Sequence, residues 1–567
     1  MKRAPFFVIA LCLQSAAWGL VRQESPSMAD VITRFEADER SVGRKYDLEY
    51  SAEDRRRMGT LYDLTLTDLK KIDFDHLSTD GKVDYVFLRT AIENRQAELK
   101  RQQIAQDKIA AYIPFAGGIN RLEIDRRNVV KLDYEDVANR VAALARQVKD
   151  AERALRSQTN VDKVQAYRVY QALDSFSRTL AGWHRFYESY DPLFTWWVPT
   201  PYKALTDAIA SYRKFLAENV LSIREGDPTI LLGDPIGRDA LIDQLQGAMI
   251  DYTPEELIAI AEKEYAWSEV EMKKASNQMG FGDDWRKALE KVKTEHLAPG
   301  EEPQLIKQMA EEATEYVTKN NLVTVPPLAA ETWTMEMMSP QRQLLNPFFT
   351  GGLTINVSFP TAEMSQEQKE MSLKANNRWF DRATVFHELI PGHSLQAFME
   401  PRYHPYRGRL EGNPFWIEGW SFYWEMLLYN TDFVTKPEER IGMLFWRMHR
   451  SARVVFSLKF QLGEWTPQQC VDYLITKVGH DPFTAEGEVR RSIVGEYSPL
   501  YQLAYMMGAL QFRQLHHDLV DSHKMTNKEF HDRILQGNQL PIELVRAMLG
   551  ASKLTRDYKT QWKFYGG

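Results

Sequence analysis

The segment His387-Glu388-Leu389-Ile390-Pro391-Gly392-His393 places two histidines and one glutamate close together in the chain. Apolar residues recur at helical spacing before it, so His387 and Glu388 are expected on a helix. A His-Glu pair on a helix, with a second histidine on the same face, is how zinc peptidases arrange two imidazoles and a base around one metal. The segment therefore predicts a helical metal site.

The spacing of the two histidines differs from that of the ordinary motif. In His-Glu-x-x-His the second imidazole comes one turn later, whereas His393 follows His387 by six residues, about 240° around an ideal helix. Pro391 lacks the N–H that would bond the His387 carbonyl, and Gly392 tolerates backbone angles that other residues avoid. We expect the helix to break here and His393 to swing back toward His387. The alternative is an ordinary helix end that carries two unrelated histidines.

A second apolar helix is predicted from Pro414 to Tyr429, and it carries two carboxylates. Glu418 and Glu425 are seven residues apart, so they project from nearly the same face. Carboxylates on so apolar a helix are costly unless they are paired or bound to a metal. Glu418 as third ligand, with Glu425 as a partner of a ligand, completes a zinc site with one position open for water. The alternative is buried salt bridges from both carboxylates to arginines of the following helix, namely Arg447, Arg450 or Arg453.

A third segment carries tyrosines at four-residue intervals behind a pair of arginines. A phenol placed over the metal site would stabilise an oxyanion, and we assign this role to Tyr505, with Tyr497 and Tyr501 as alternatives. Arg490 and Arg491 are candidates for holding a substrate carboxylate. The other interpretation of the tyrosine stripe is core packing alone.

The remaining sequence predicts a mainly α fold with one small β element near the site. From about Asp30 to Asn321 helical patterns alternate with short polar turns, and a capping box at Thr253–Glu256 starts a helix that runs toward Met279. Residues 351–358 are predicted to be a strand whose edge aligns an extended peptide. A second capping box at Ser365–Gln368 predicts one long helix through Phe386. We expect a single α-rich domain over residues 20–567, with possible lobes at about 20–325 and 326–567, and candidate breaks at 226–237 and 299–303.

Charge and targeting signals narrow the function classes. A net charge of −7 on 567 residues, with no block rich in Lys or Arg, argues against nucleic acid as a partner. Lys2 and Arg3 precede an apolar run to Leu13 and small residues up to Gly19, which predicts a signal peptide at residues 1–19. That run is too short to span a bilayer, and no other stretch approaches the necessary length. We therefore expect a periplasmic or secreted protein without a membrane span.

The motifs taken together resemble a known family. The segment His387–Gln396, followed by Ile417–Trp420 and by Pro499, Tyr505 and Gly508, resembles the bacterial family known as domain of unknown function 885. That family is similar in turn to the thimet oligopeptidase and Taq carboxypeptidase groups, which are α-rich zinc peptidases built as two lobes around a deep cleft. Those relatives also carry a ligand glutamate with a second glutamate seven residues on. The chain departs from the family pattern at Val454–Phe460, where an aspartate and a histidine are expected.

The resemblance implies one zinc ion held by His387, His393 and Glu418, with Glu388 as the catalytic base. The function expected is that of a zinc metallopeptidase that hydrolyses short peptides. Two other classes stay open: a weakly active or inactive peptide-binding module of the same fold, and a metallohydrolase that acts on non-peptide amides or esters. The sequence leaves open the peptide preference, endopeptidase or exopeptidase action, and the oligomeric state.

Overall fold

The computed structural model describes residues 27–158, 160–224, 229–494 and 497–566. The predicted signal peptide and part of the break expected at residues 226–237 lie outside these ranges. Among the residues described, no helix is both long enough and apolar enough to cross a membrane.

The first part of the chain consists of helices, most of which are joined by short turns. Ser27, Ser51 and Ser78 each cap the helix that follows, because their hydroxyls accept a hydrogen bond from an amide of its first turn. The helices are α1 (Met28–Gly43), α2 (Ala52–Leu69), α3 (Thr79–Ile109), α4 (Ala116–Arg127), α5 (Tyr134–Arg156), α6 (Lys163–Glu188), α7 (Pro192–Trp197), α8 (Pro199–Phe215), α9 (Arg238–Gly247), α10 (Pro254–Gln278), α11 (Trp285–Lys293) and α12 (Glu302–Lys319).

The second part adds a small sheet and the helices that form the site. Its elements are α13 (Pro327–Thr332), β1 (Thr334–Met337), α14 (Pro340–Gln343), β2 (Thr354–Val357), α15 (Gln366–Ala375), α16 (Arg378–Glu388), α17 (His393–Met399), α18 (Pro405–Leu410), α19 (Pro414–Tyr429), α20 (Pro437–Gln461), α21 (Pro467–Tyr473), α22 (Pro482–Ile493), α23 (Tyr501–His516), α24 (Asn527–Gly537) and α25 (Ile542–Met548). The mainly α fold with a small β element is confirmed.

Two predicted elements are present, one with the predicted bounds and one, the strand expected at residues 351–358, shortened to Thr354–Val357. The capping box at Thr253–Glu256 is present and α10 ends at Gln278. The predicted strand is β2, which pairs in parallel with β1. Its opposite edge is already occupied at Asn356, which exchanges two backbone hydrogen bonds with Thr350 of 3.1 and 2.8 Å. The free edge expected for aligning a peptide is therefore covered at that position.

The prediction of one long helix from Ser365 through Phe386 is wrong. The capping box at Ser365 is present, but α15 ends at Ala375 and α16 begins at Arg378. Asn377 lies between them in an extended conformation, and its side-chain oxygen accepts hydrogen bonds from the amides of Trp379 and Phe380. An asparagine that caps the second helix competes with continuation of the first, so the chain restarts there.

Two large apolar cores organise the helices. One is formed by residues between Ile109 and Leu221, on α4 to α8 and their connections. The larger core combines residues 28–92 with residues 241–564 and surrounds α16, α19, α20 and α23. The elements of the predicted site are therefore packed in the middle of the larger core.

Helices α19 and α23 approach each other closely because glycines meet at their crossing. A Cβ atom on Gly419 would lie 2.5 Å from the Cα of Gly508, and a Cβ on Gly508 would lie 2.2 Å from the carbonyl oxygen of Phe415. Any larger side chain would force the helices apart. The close approach places Glu418 of α19 beside Tyr501 of α23.

A buried carboxyl pair lies where α12 packs on α16. Asp381 and Glu302 stand on the first turns of these helices, and one oxygen of each carboxyl group is buried without a hydrogen-bond partner among the described residues. Burial raises the pKa of Glu302 to about 8. Burial, together with the nearby Glu302 carboxylate, raises the pKa of Asp381 well above its usual value. Glu302 is therefore predominantly protonated in the folded protein at neutral pH, and Asp381 keeps its proton to a higher pH than an exposed aspartate does.

This pair makes the free energy of unfolding depend on pH. The folded-state pKa of Glu302 exceeds its ordinary value of 4.5, so its contribution to stability is complete below about pH 4.5 and is lost as the pH rises toward about 8. We expect Glu302→Gln, which cannot ionise, to show a smaller fall in melting temperature between pH 5 and pH 8 than the wild-type protein. Thermal unfolding at both pH values measures it.

The control is Glu311→Gln, which removes an exposed carboxylate from the same helix. This variant should keep the wild-type dependence on pH. If the melting temperature fell by the same amount between pH 5 and pH 8 in Glu302→Gln and in the wild-type protein, this would contradict the raised pKa of the pair.

Candidate metal centre

The turn after α16 brings the two histidines of the quoted segment together. The helix ends at Glu388, and α17 begins at His393. The turn contains a cis Ile390–Pro391 peptide bond. A Cβ on Gly392 would lie 1.9 Å from the carbonyl oxygen of His387, so only glycine allows the chain to fold back this tightly. The predicted break is confirmed.

His387 and His393 converge on Glu418. The Nε2 atoms of His387 and His393 lie 3.5 and 3.2 Å from Oε2 of Glu418. One ligand atom from each of the three residues lies within 4.8 Å of the other two. These three side chains, which we call the triad, could hold a metal ion, because the distances of 3.5 and 3.2 Å match those between donors on one coordination sphere.

The outer nitrogen of each imidazole is oriented by a polar neighbour. Nδ1 of His387 donates to Oε1 of Glu425 over 2.7 Å. Nδ1 of His393 lies 3.1 Å from Oε1 of Gln396 and 3.2 Å from Oγ of Ser421. With Nδ1 bonded in this way, Nε2 of each ring is the atom available to a metal, which is the usual arrangement behind metal-bound histidines.

The charges of the triad are strongly coupled. Burial opposes a charged imidazole, but the Glu418 carboxylate outweighs it and raises the pKa of His393 to about 9. Burial likewise opposes a charged carboxylate, yet the imidazoles of His393 and His387 hold the pKa of Glu418 well below its usual value. Without a metal the protein therefore holds a proton on His393 opposite an ionised Glu418. A cation that binds here competes with that proton.

Glu388 lines the same cavity as the triad. Its carboxylate makes no hydrogen bond to the described residues, and only 8% of the residue is exposed. Burial raises the pKa of Glu388, and the Glu418 charge adds to this, while His387 and His393 oppose it. The backbone of Gly351 packs directly on Glu388, since a Cβ there would lie 2.3 Å from Oε2.

The tyrosines of the stripe differ in what their hydroxyls do. Tyr501 donates a short hydrogen bond to Oε1 of Glu418. The Tyr497 hydroxyl is 3.4 Å from Oδ1 of Asn346. The Tyr505 ring lies parallel to that of His387, with 6.1 Å between centroids, and no hydrogen bond of its hydroxyl exists among the described residues. Tyr505 therefore has the hydroxyl that is available in the cavity.

The predicted arginine pair is divided between two environments. Arg491 lines the cavity and donates to Oε1 of Glu488 over 3.1 Å. Arg490 is not among the cavity-lining residues, and it donates to the carbonyl oxygen of Leu344 over 2.8 Å. Adjacent residues on a helix point about 100° apart, which separates the two side chains.

The sequence indicates two further cavity residues only as salt-bridge partners. Arg450 and Arg453 of α20 both line the cavity, and their guanidinium carbons lie 4.4 and 4.7 Å from the centroid of the Tyr505 ring. Arg450 is also 3.7 Å from Glu425. Glu425 therefore forms the buried salt bridge that was the alternative interpretation, in addition to its hydrogen bond with His387. Charged residues on a buried helix are the signal that could have identified them.

Comparisons with known proteins place the chain in a family. The model of the family described as "Bacterial protein of unknown function (DUF885)" matches residues 39–549, and the chain belongs to that family. No match to the chain exists among curated proteins.

Two solved structures share the fold. One is a "putative lipoprotein of unknown function" from Shewanella oneidensis, with a TM-score of 0.68 and 17% identity over 93% of this chain and 100% of that chain. The other is a "putative lipoprotein" from Colwellia psychrerythraea, with a TM-score of 0.55 and 16% identity over 92% of this chain and 98% of that one.

The contact between Glu425 and His387 makes a prediction about metal affinity. We expect Glu425→Gln to weaken metal binding about 10- to 100-fold, because the neutral amide holds the imidazole less firmly and makes its far nitrogen a poorer donor. Titration of metal-free protein against a metal-binding dye measures the change. Glu264→Gln is the control, since Glu264 is equally buried but pairs with Arg447 and Arg513. Wild-type affinity in Glu425→Gln would contradict this role.

Proposed function

We propose that this member of the DUF885 family is a zinc-dependent metallopeptidase that hydrolyses short peptides. The observation that most supports the proposal is that the triad and the buried Glu388, whose carboxylate makes no hydrogen bond within the described part of the chain, line one cavity. A cation site beside a poised carboxylate is the combination that metal-assisted amide hydrolysis requires.

The donor set agrees with zinc. Two imidazole nitrogens and one carboxylate oxygen, from His387, His393 and Glu418, are the ligands of catalytic zinc in several peptidases. When bound, zinc would supply Lewis acidity that polarises a carbonyl group and lowers the pKa of water. The neighbours on both Nδ1 atoms leave each ring ready to coordinate through Nε2.

Glu388 has the properties of a general base. Its raised pKa makes it a stronger base than an exposed carboxylate. Because its carboxylate makes no hydrogen bond to the described residues, both oxygens remain for substrate and water. In the proposed reaction Glu388 takes a proton from the attacking water as the oxygen adds to the peptide carbonyl. It then returns that proton to the leaving amine as the C–N bond breaks.

Tyr505 is the proposed donor to the oxyanion. Burial, with the nearby Glu418 charge, raises the pKa of the Tyr505 phenol, so the hydroxyl stays protonated and can donate. Tyr501 is less suitable, because its hydroxyl is already bonded to Glu418. Arg450 and Arg453 lie against the Tyr505 ring and hold it in place.

The size of the cavity favours small substrates. Its volume of about 290 Å³ lies at the lower end of the range for ligand pockets. We propose short peptides for this reason, in a cleft between two lobes such as those of the related peptidase groups. We also propose that the protein acts outside the cytoplasm, on the evidence of the predicted signal peptide at residues 1–19.

The experiment that tests the function is mass-spectrometric analysis of a diverse peptide library incubated with the zinc-loaded protein. Cleavage that is lost in a chelator and restored by zinc supports the proposal. Binding of peptides without cleavage would instead favour a peptide-binding module, and hydrolysis of esters or non-peptide amides alone would favour the other metallohydrolase class.

Base and ligand can be distinguished by substitution. We expect Glu388→Gln to keep one zinc ion per chain while hydrolysis collapses, because this residue acts on water rather than on the metal. Glu418→Ala should lose zinc and activity together and should no longer be stabilised against heat by added zinc. Elemental analysis, peptide hydrolysis and thermal unfolding on the same preparations measure these effects. Full hydrolysis by Glu388→Gln would exclude the proposed mechanism.

The role of Tyr505 predicts a specific kinetic defect. Tyr505→Phe should lower kcat about 100- to 1,000-fold with little change in KM, because the lost hydrogen bond forms only as negative charge develops. Tyr501→Phe is the matched variant and should change metal affinity more than turnover, since its hydroxyl bonds Glu418. Steady-state kinetics on one peptide measure both variants. A wild-type kcat in Tyr505→Phe would exclude Tyr505 as the donor to the oxyanion.

A further inference from the structure

Three buried arginines surround one side of the cavity. Arg450 and Arg453 come from α20 and Arg491 from α22, and all three line the cavity that contains the triad. Their exposed fractions are only 4, 2 and 6%. A buried guanidinium needs an anion close to it, because removing its charge from water is costly.

Two of these arginines share a single carboxylate. Arg453 donates from Nε and Nη2 to Oε2 of Glu488 over 2.8 and 2.5 Å, and Arg491 donates to Oε1 of the same residue. Behind Glu488, burial and the Arg453 charge lower the pKa of His449, and burial lowers that of His480 to about 3. These two imidazoles are neutral and add no further charge.

Arg450 is the least satisfied of the three. Its nearest acidic atom is Oε1 of Glu425 at 3.7 Å, and that oxygen already accepts a hydrogen bond from His387. Its Nε is buried with no hydrogen-bond partner, and its terminal amino groups make no hydrogen bond to the described residues. A guanidinium in a cavity with its fork unoccupied is arranged to receive a planar anion.

The charges around the cavity are one anion short. The triad carboxylate and Glu388 are balanced when a divalent cation is bound. Of the remaining groups, four guanidiniums, those of the three buried arginines and of Arg342, face three carboxylates, Glu400, Glu425 and Glu488. A substrate that brings one carboxylate would complete the balance.

We propose that the cavity recognises its substrate by a free carboxylate, which Arg450 binds with help from Arg491. This inference rests on the proposed function and specifies its substrate class. Arg450 and His387 both contact Glu425, so the anion site is separated from the triad by little more than one carboxylate. A peptide whose terminal carboxylate lies there has its last peptide bond near the triad. The protein is therefore an exopeptidase that removes the C-terminal residue of short peptides.

An acidic side chain is the other source of the same chemistry, and the test includes it. The probes are tripeptides made as free acids and as C-terminal carboxamides, with Ala, Glu or Gln in the last position. We expect kcat/KM for the free acid to exceed that for the carboxamide about 10- to 100-fold, which is typical for a charge-assisted hydrogen bond. Arg450→Gln should remove most of that ratio.

Arg447→Gln is the matched control, because Arg447 lies one turn earlier on α20, is buried, and pairs with Glu264 away from the cavity. It should keep the preference for the free acid even if the protein is less stable. The ratio of kcat/KM for the free acid to kcat/KM for the carboxamide, measured on the wild-type protein, tests carboxylate recognition without any variant. A preference for Glu over Gln, with acid and carboxamide treated alike, would retain carboxylate recognition and overturn exopeptidase action. Equal rates for all forms would overturn the inference.

A binding measurement separates this inference from the proposed function. Calorimetry with zinc-loaded Glu388→Gln should show tighter binding of the free acid than of the carboxamide, and Arg450→Gln added to that variant should remove the difference. If the wild-type protein cleaved none of the peptides but this binding difference remained, the peptidase proposal would fail and carboxylate recognition would stand. Equal binding of acid and carboxamide, together with equal binding of the Glu and Gln peptides, would contradict carboxylate recognition, whatever the protein hydrolyses.

Discussion

The site is organised around one buried carboxylate, Glu418, held between the imidazoles of His387 and His393. An ionised carboxylate in an apolar interior is stable only when positive charge and hydrogen bonds surround it. The two imidazoles and the hydroxyl of Tyr501 provide this environment. Residues from four helices, α16, α17, α19 and α23, must therefore keep their relative positions for Glu418 to remain charged.

Backbone contacts fix that register. The turn at Gly392 places His393 beside His387, and the indole of Trp420 donates to the carbonyl oxygen of Pro391 over 2.8 Å, which ties the turn to α19. The contact between Gly419 and Gly508 ties α19 to α23. Each of these contacts depends on a small or specific residue at a crowded position, so packing of the protein sets the geometry of the triad.

The parts of the site that could be predicted from the sequence are those with local signals. Proline followed by glycine indicated the break that joins His387 to His393, and the spacing of Glu418 and Glu425 indicated their common face. The break at Asn377 was missed because the helical pattern of apolar residues continues through it, and the capping role of asparagine shows only in the folded chain. The cap decided the boundary there.

Roles that depend on distant contacts could not be assigned from the sequence. Tyr501 and Tyr505 carry the same chemical group one turn apart, and only their neighbours determine which hydroxyl bonds Glu418. The side chains of Arg490 and Arg491 likewise differ only in the direction in which they leave α22, and this direction decides which of them lines the cavity. The proposed role of Arg450 in binding a substrate carboxylate follows from its incomplete pairing with Glu425. No pattern in the neighbouring sequence indicates that this pairing is incomplete.

We propose that the triad holds one zinc ion, and anomalous diffraction from crystals of the zinc-loaded protein tests this most directly. We expect one strong peak at the zinc absorption edge, about 2.0–2.2 Å from Nε2 of His387, Nε2 of His393 and a carboxylate oxygen of Glu418. The peak should be absent from crystals of Glu418→Ala grown in the same way. No peak among these three side chains, or a peak that persists there in Glu418→Ala, would contradict the account.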